Sequence, residues 1–189
     1  MRVIGGTFKR TAIYGPGAGD KTIRPTHDRT RENVFNILAP VIEGAEVLDL
    51  FAGCGSVGIE ALSRGARRAV FVENSAGGVK LIRKNIGRLD LADKCTVART
   101  DAVRYLRRPG DFRDKFDVVY IDPPYRSGLF DKVIEILGSG AALKEGAVVI
   151  GEHSRKPALD TAGRLRRTET RKYSGRTTIS IWELTKGEA

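Results

Sequence analysis

Apolar runs alternate with amphipathic segments along most of this chain. The runs predict buried strands at residues 69–73, 95–98, 117–122 and 147–150. Between them, apolar residues recur every three or four positions and predict helices at 75–89 and 130–137. This alternation is typical of a parallel sheet covered by helices on both faces, so we predict an open α/β fold. Gly77 and Gly78 are expected to weaken the first of these helices by about 1 kcal/mol each relative to alanine.

The stretch at 47–58 combines an apolar strand, a glycine-rich loop and the start of a helix near Val57. The loop reads Gly53-Cys54-Gly55-Ser56-Val57-Gly58. Glycines allow a ligand to lie against the backbone, and the first turn of a helix offers unbonded N–H groups. Asp49 precedes the loop, where the strand is about to end. This stretch therefore predicts a ligand site.

The two ends of the chain have a different pattern. Residues 2–14 predict two short strands about a Gly5-Gly6 turn. Residues 165–172 and 177–184 alternate as strands about a turn, which predicts a hairpin that adds an antiparallel strand at one edge of the sheet. We divide the chain into a basic N-terminal hairpin extension at residues 1–22 and a main domain at residues 23–189.

The charge balance favours a polyanionic partner. Lys and Arg number 33 against 23 Asp and Glu, which gives a net charge of +10. The hairpin, with Lys9 and Arg10, is a candidate RNA-contacting arm, and a solvated hairpin is the alternative. No apolar run approaches the roughly 20 residues that cross a bilayer. The two cysteines do not indicate a disulfide framework, so we expect a cytoplasmic protein without membrane contact.

Three arginines near residue 30 are further candidates for substrate contact. Val34, Ile37 and Leu38 fall at helical spacing and predict a buried helix face. We expect Arg29 and Arg31 to avoid that face and to reach a phosphate or a carboxylate ligand, with solvated charge as the alternative. Arg24 precedes the same segment. No metal-ligand cluster accompanies His27, so we predict no metal site.

An acid lies at or just beyond the end of four predicted strands. These acids are Asp49, Glu73, Asp101 and Asp122. Because ligands bind outside the carboxyl ends of the strands in open α/β sheets, the four carboxylates predict an acidic crevice. For Asp101, capping of the following helix is the alternative.

Two classes of ligand fit the glycine loop. The loop matches G-x-G-x-x-G, and Glu73 follows at the distance of a ribose-binding acid, as in dinucleotide-binding proteins. Asp49 is unfavourable beside a pyrophosphate. It suits a cation, such as the sulfonium and α-ammonium groups of S-adenosylmethionine.

The segment Asp122-Pro123-Pro124-Tyr125 follows a predicted buried strand. Two prolines donate no hydrogen bonds, so they present carbonyl oxygens beside the Asp122 carboxylate as fixed acceptors. Tyr125 adds a flat face for stacking. These groups suit the exocyclic amine of a nucleobase that has left its stack, and catalysis would rest on positioning and electrostatics. A rigid turn with Tyr125 in the core is the alternative.

Together these motifs resemble a known family. The segment 49–58 resembles motif I of class I S-adenosylmethionine-dependent methyltransferases, and 122–125 resembles motif IV of the amino-group methyltransferases. With the Arg-Val-Ile-Gly-Gly start and the 24–36 segment, the chain is similar to the bacterial small-subunit (16S) rRNA guanine-N2 methyltransferases. The resemblance implies a Rossmann-like seven-stranded methyltransferase sheet whose last strand is antiparallel, preceded by a small N-terminal β-hairpin.

The resemblance also implies roles for individual residues. The glycine loop and Asp49 would hold the methionine part of S-adenosylmethionine, Glu73 its ribose, and Asp101 with Ala102 its adenine. The residues expected to bind the cofactor are Asp49, Phe51, Ala52, Gly53, Gly55, Glu73, Asn74, Asp101, Ala102 and Asp122. The expected catalytic residues are Asp122, Pro123 and Tyr125. The expected substrate contacts are Lys9, Arg10, Arg24, Arg29, Arg31, Pro124 and Tyr125.

The implied partner is small-subunit ribosomal RNA, either naked or in the assembled 30S particle, and we expect a monomer. Three alternatives stay open at this point. A DNA adenine-N6 methyltransferase shares Asp-Pro-Pro-Tyr, although so short a chain shows no separate target-recognition domain. An NAD-dependent oxidoreductase fits the glycine loop, and an RNA-binding domain without catalysis fits the charge.

Overall fold

The computed structural model describes residues 1–17, 28–108, 116–124, 128–153, 159–173 and 177–185. Arg24, His27 and Tyr125 lie outside the described residues, as does most of the predicted 173–176 turn. The helices are α1 (Asp28–Leu38), α2 (Ser56–Ser63), α3 (Ala76–Arg88), α4 (Ala102–Leu106) and α5 (Leu129–Leu137), with a 3-10 turn at Ala92–Lys94. The strands are β1 (Glu46–Asp49), β2 (Arg68–Glu73), β3 (Cys95–Arg99), β4 (Phe116–Ile121), β5 (Leu143–His153), β6 (Thr161–Ala162), β7 (Leu165–Lys172) and β8 (Thr178–Leu184).

The described strands form one sheet in the order β3-β2-β1-β4-β5-β8-β7-β6. Strands β1 to β5 pair in parallel, and β8 runs antiparallel to both β5 and β7. The predicted α/β fold with its last strand antiparallel is therefore confirmed. Two details differ from expectation. Strand β8 lies inside the sheet, where six of its seven residues are buried, and the two-residue strand β6 adds an eighth member at the edge.

Helices cover both faces of the sheet. Helices α1, α2 and α3 bury one apolar cluster with Val47, Phe71 and Tyr120. Helices α4 and α5 bury the second cluster with Leu48 and Val119. Neighbouring residues of β1 therefore point to opposite faces, as the two-residue period of a strand requires. Within the described residues, no helix is both long and apolar enough to cross a membrane.

The N-terminal arm, which we define as residues 1–17, packs on the α1–α3 side. Of the two predicted strands only one bridge forms, between Arg2 and Ala12, because residues 5–10 make a wide turn. Val3 and Ile13 are buried in the main core. The arm is therefore part of the apolar cluster and does not stand apart from it.

Arg31 was expected to avoid the buried face of α1 and to contact substrate, and the structure shows otherwise. Its side chain is fully buried, and its guanidinium donates to the Arg2 carbonyl at 2.6 Å and to Asp28 at 3.0 Å. It also forms an ion pair with the buried Glu60 at 3.7 Å. A buried charge requires partners of this kind, so Arg31 supports the N-terminal arm and cannot contact substrate.

Candidate active site

A crevice of about 300 Å³ opens at the carboxyl ends of β1, β2 and β4. Its wall includes all four of the predicted strand-end acids, Asp49, Glu73, Asp101 and Asp122. Phe51, Ala52, Gly53, Asn74 and Ala102 also line it. The structure thus brings together nine of the ten residues that were expected to bind a cofactor. Gly55, the tenth, lies in the same loop.

The glycine loop needs glycine for two separate reasons. Gly55 has φ of +82° and precedes the first residue of α2, in the left-handed region that favours glycine. Gly58 has no such angle, but a Cβ atom there would lie 2.3 Å from the Phe71 ring. Close packing of α2 on β2 therefore determines the last glycine, and the turn determines the middle one.

Asp49 is a buried carboxylate at the floor of the crevice. It is 1% exposed, and its Oδ2 accepts a hydrogen bond from the Gly58 N–H at 3.2 Å. Burial raises the pKa of Asp49 to about 7; the Gly58 hydrogen bond opposes this shift, and the charge of Glu73 adds to it. A cation in the crevice would therefore stabilise the ionised form. The carboxylates that line the crevice fit a sulfonium or ammonium group better than a pyrophosphate.

Glu73 fixes the loop from the end of β2. Its Oε2 accepts from the Gly53 N–H at 2.9 Å, and its Oε1 accepts from the Ser75 N–H at 2.7 Å. A carboxylate oxygen can accept two hydrogen bonds, so both oxygens retain an acceptor position for a ligand hydroxyl.

Gly78 allows this arrangement. A Cβ atom at Gly78 would lie 2.7 Å from Glu73 Cγ and 2.8 Å from the Gly53 carbonyl oxygen. Gly77 has nothing within 4 Å. The glycine pair therefore has unequal roles, which the helix pattern alone did not distinguish.

We expect Gly78→Ala to weaken binding of S-adenosylhomocysteine by about tenfold or more, because displacing Glu73 by a fraction of an ångström disturbs the loop. Gly77→Ala is the matched control. It should leave the affinity unchanged and raise the free energy of unfolding by up to about 1 kcal/mol. Isothermal titration calorimetry and urea unfolding measure the two effects. Equal affinities in the two variants would contradict the assignment.

Asp101 both caps a helix and lines the crevice, the two alternatives that its position in the sequence left open. Its Oδ1 accepts from the backbone N–H groups of Val103 at 2.9 Å and Arg104 at 3.1 Å, so it caps α4. Its side chain is exposed and still lines the crevice.

The Asp-Pro-Pro turn begins directly after β4. Asp122 is half-buried, Pro123 is buried and Pro124 is exposed, and all three line the crevice. The turn therefore faces the same cavity as Asp49 and Glu73. Tyr125, which would complete the motif, is not among the described residues.

A buried pair behind this turn was missed by sequence reasoning. The Tyr120 hydroxyl donates to Glu152 Oε2 at 3.1 Å, and Tyr120 also lines the crevice. Burial and the nearby charges of Asp122, Glu152 and Asp49 raise the pKa of Tyr120 well above its usual value. In the sequence, the pair could be suspected only from Tyr120, which lies two residues before Asp122 and therefore on the same face of the strand.

The predicted substrate contacts do not all lie at the crevice. Lys9, Arg10 and Arg29 are exposed. Lys9 and Arg10 line a separate depression with Asp28 and Glu32, beside the N-terminal arm. Of the described contacts, only Pro124 borders the crevice. In the described part of the chain, no group of His, Cys, Asp and Glu is arranged to hold a metal ion.

The sheet order, the glycine loop after β1 and the acidic crevice define the class of Rossmann-like methyltransferases. A Salinibacter ruber RNA methyltransferase solved with S-adenosylhomocysteine shares this fold, with a TM-score of 0.67, 23% identity and coverage of 88% of this chain and 97% of that one. The chain belongs to the family described as "Conserved hypothetical protein 95", whose model matches residues 1–183.

The chain is also similar to proteins whose names state an activity. A Bacillus subtilis protein, "Putative rRNA methyltransferase YlbH", is 34% identical over 184 residues, which are 97% of this chain and 98% of that protein. The Escherichia coli "Ribosomal RNA small subunit methyltransferase D" is 35% identical over 161 residues, with 85% and 78% covered. A solved Escherichia coli structure, "Putative methyltransferase yhhF", has a TM-score of 0.83 and 32% identity and covers 97% of both chains. The predicted membership of the small-subunit rRNA methyltransferase family is confirmed.

Proposed function

We propose that this protein transfers a methyl group from S-adenosylmethionine to the exocyclic N2 amine of a guanine in small-subunit ribosomal RNA. The observation that carries the proposal is that the Asp122-Pro123-Pro124 turn lines the same crevice as Asp49 and Glu73. One cavity thereby presents acceptors for an amine beside carboxylates suited to a cationic methyl donor. The names of the matched relatives support rRNA as the substrate.

The chemistry follows from what each group can donate or accept. When bound, S-adenosylmethionine supplies an electrophilic methyl group on a sulfonium. The lone pair of a guanine N2 amine is delocalised into the ring, so the amine is a poor nucleophile. The Asp122 carboxylate and the Pro123 carbonyl accept its two N–H hydrogen bonds and hold its lone pair toward the methyl group. The Asp122 carboxylate would also take up the proton that the amine loses on methylation and pass it to solvent.

The cofactor contacts follow the crevice wall. Asp49 would bind the methionine ammonium, Glu73 the ribose hydroxyls, and Asp101 with Ala102 the adenine. Phe51, Ala52, Gly53, Gly55 and Asn74 complete this surface. Further substrate contacts would come from the exposed Lys9, Arg10, Arg29 and Pro124, together with Arg24 and Tyr125. We propose that the protein acts as a monomer.

Asp49 makes cofactor binding pH-dependent. The ammonium group of S-adenosylhomocysteine binds the ionised carboxylate more tightly, so binding lowers the pKa of Asp49 from about 7 and releases a proton. We expect affinity to rise between about pH 5.5 and 7.5, by up to roughly tenfold per unit below the pKa. Calorimetry at pH 6 in two buffers of different ionisation enthalpy should detect proton release approaching one per site. Asp49→Asn should abolish the release, and release unchanged in that variant would exclude Asp49 as its source.

The direct test is transfer of labelled methyl groups to small-subunit RNA, both naked and assembled with ribosomal proteins, followed by identification of the modified nucleoside. We expect N2-methylguanosine at one position. The same assay with DNA as the methyl acceptor tests the adenine alternative, which N6-methyladenine as the product would support. Tight binding of NAD without binding of S-adenosylhomocysteine would exclude a methyltransferase.

A further inference from the structure

The exposed side of α3 carries one sign of charge. We define the α3 basic face as Lys80, Arg83, Lys84 and Arg88, all of which are exposed. The helix contains no Asp or Glu. Among the described residues, no carboxylate forms an ion pair with any of these four cations.

This charge pattern does not help the helix to fold. Lys80 and Lys84 are four residues apart, as are Lys84 and Arg88, so like charges repel along the face. A solvated helix face normally mixes acids with bases. The cluster therefore indicates a polyanionic ligand more than a structural role.

Two glycines on the same side provide an independent observation. Gly77 and Gly87 are exposed, and a Cβ atom at either would have nothing within 4 Å. Neither has a positive φ. Packing and backbone geometry therefore do not require glycine, although glycine weakens a helix. Because they have no side chains, Gly77 before Lys80 and Gly87 between Lys84 and Arg88 keep the helix surface low beside the cations, where another backbone can approach closely.

Tyr14 fixes the direction of two of the cations. The Lys84 ammonium lies 3.6 Å from the centre of the Tyr14 ring, and the Arg88 guanidinium lies 5.5 Å from it. Asn85 is fully buried and holds Tyr14 by both backbone groups, at 2.7 and 2.9 Å. The same Asn85 amide donates to the Cys54 carbonyl in the glycine loop at 2.9 Å. The basic face is therefore held in a set position relative to the crevice.

Helix α3 begins next to the crevice wall and extends away from it. Ser75, which caps the helix, donates its N–H to Glu73 on the crevice wall. From there the helix extends about 20 Å over its 13 residues. Its exposed side chains are cationic, and the remaining exposed positions are Ala76, Gly77 and Gly87. A protein partner would require an apolar centre, which this face does not provide.

We propose that the α3 basic face binds the phosphate backbone of the RNA that flanks the modified nucleotide. The inference rests on the proposed function and adds a surface, distinct from the N-terminal depression around Lys9 and Arg10, that holds the substrate while one base occupies the crevice. Its contacts are to phosphates, so they are independent of base sequence.

The test compares two variants with the same change in net charge. One carries Lys80→Gln, Arg83→Gln, Lys84→Gln and Arg88→Gln. The control carries Arg104→Gln, Arg107→Gln, Arg108→Gln and Lys132→Gln, which are exposed residues of α4, its C-terminal flank and α5 on the opposite side of the sheet. RNA binding is measured by filter retention over a range of salt concentrations. Binding of S-adenosylhomocysteine and the melting temperature confirm that each variant is folded.

We expect the α3 variant to bind RNA at least tenfold more weakly at low salt. Its slope of log Kd against log salt should fall by about three, because four contacts to single-stranded phosphates are lost. KM for RNA should rise, and kcat at saturating RNA should stay within twofold of the wild type. The control should retain most of both the affinity and the slope. Equal losses in the two variants would show an effect of net charge alone and would overturn the proposal.

A second variant tests the face without changing its charge. Gly87→Gln should stabilise the helix and yet weaken RNA binding severalfold, because the new side chain stands between the cations. Unchanged binding in this variant and in the α3 variant would overturn the proposal. So would a defect confined to assembled particles and absent on naked RNA, which would identify a protein as the occupant. If the wild-type protein methylates neither form of RNA, the proposed function itself fails, whereas wild-type activity with an unaffected α3 variant overturns only this inference.

Discussion

Replacing Asp122 with alanine will remove nearly all methyl transfer and leave binding of S-adenosylhomocysteine within about threefold of the wild type. The Asp122 carboxylate lies on the Asp-Pro-Pro turn after β4. We expect it to accept a hydrogen bond from the amine while the amine becomes a nucleophile. Removing one such positioned acceptor costs about 10²- to 10⁴-fold in kcat. Single-turnover transfer to small-subunit RNA measures the loss directly, because it excludes product release.

Two further variants sharpen this result. Asp122→Asn keeps one carbonyl oxygen as an acceptor, so its activity should lie between those of the wild type and the alanine variant. Asp101→Ala removes another acid of the same crevice, at the start of α4. It should raise KM for the cofactor and change kcat little. Full activity of Asp122→Ala, or equal kcat losses at both positions, would rule out the assigned role of Asp122.

The crevice could be predicted because it depends on local patterns. Strand and helix alternation makes the sheet parallel, and parallel strands end at one edge, so Asp49, Glu73 and Asp122 were expected to meet there. The glycine loop is likewise a local feature, since a left-handed residue before α2 requires Gly55 or a near equivalent.

Features that depend on contacts between distant residues were not predictable. Gly78 looked like a defect in a helix, and only the folded chain shows Glu73 and the Gly53 carbonyl occupying the space of its missing side chain. The Tyr120–Glu152 pair joins neighbouring strands that are 32 residues apart in sequence. Strand β6 has two residues, which is too short for any periodic pattern.

Arg31 and Glu60 show the same limit for charged residues. Helical spacing indicated which side of α1 is buried, and Arg31 was expected to avoid that side. It stays inside because Glu60, on α2, and the N-terminal arm supply its partners. No local rule identifies such a pair, since its members approach only after the arm, α1 and α2 have packed together.

Glu60 holds the arm through several interactions at once. Its two carboxylate oxygens accept from the Ile4 and Gly5 N–H groups, each at 2.7 Å. The same carboxylate pairs with Arg64 at 2.8 Å and with Arg31 at 3.7 Å. Glu60 and Arg31 are both fully buried. Loss of the Glu60 charge would therefore remove the fully buried one of two carboxylates that pair with the Arg31 guanidinium; the other, Asp28, is about half-exposed.

We expect Glu60→Gln to lower the free energy of unfolding by about 3–5 kcal/mol, as measured by urea denaturation. For a chain of this size the melting temperature should fall by roughly 10 °C. The arm should detach before the rest of the chain unfolds, so trypsin should cleave faster after Lys9 and Arg10. The matched control is Glu135→Gln on the exposed side of α5, which should stay within about 0.5 kcal/mol of the wild type.

A double variant separates the effect of losing the Glu60 charge beside Arg31 from the effect of losing the Glu60 hydrogen bonds to the arm. If the buried guanidinium causes most of the loss, Arg31→Met combined with Glu60→Gln should be more stable than Glu60→Gln alone, because an apolar side chain of similar length then fills the space. If the backbone donors of Ile4 and Gly5 dominate, the double variant should be no more stable than the single one. A loss below about 1 kcal/mol in Glu60→Gln would mean that the arm is held by its apolar contacts through Val3 and Ile13, and that the buried ion pair contributes little to holding it.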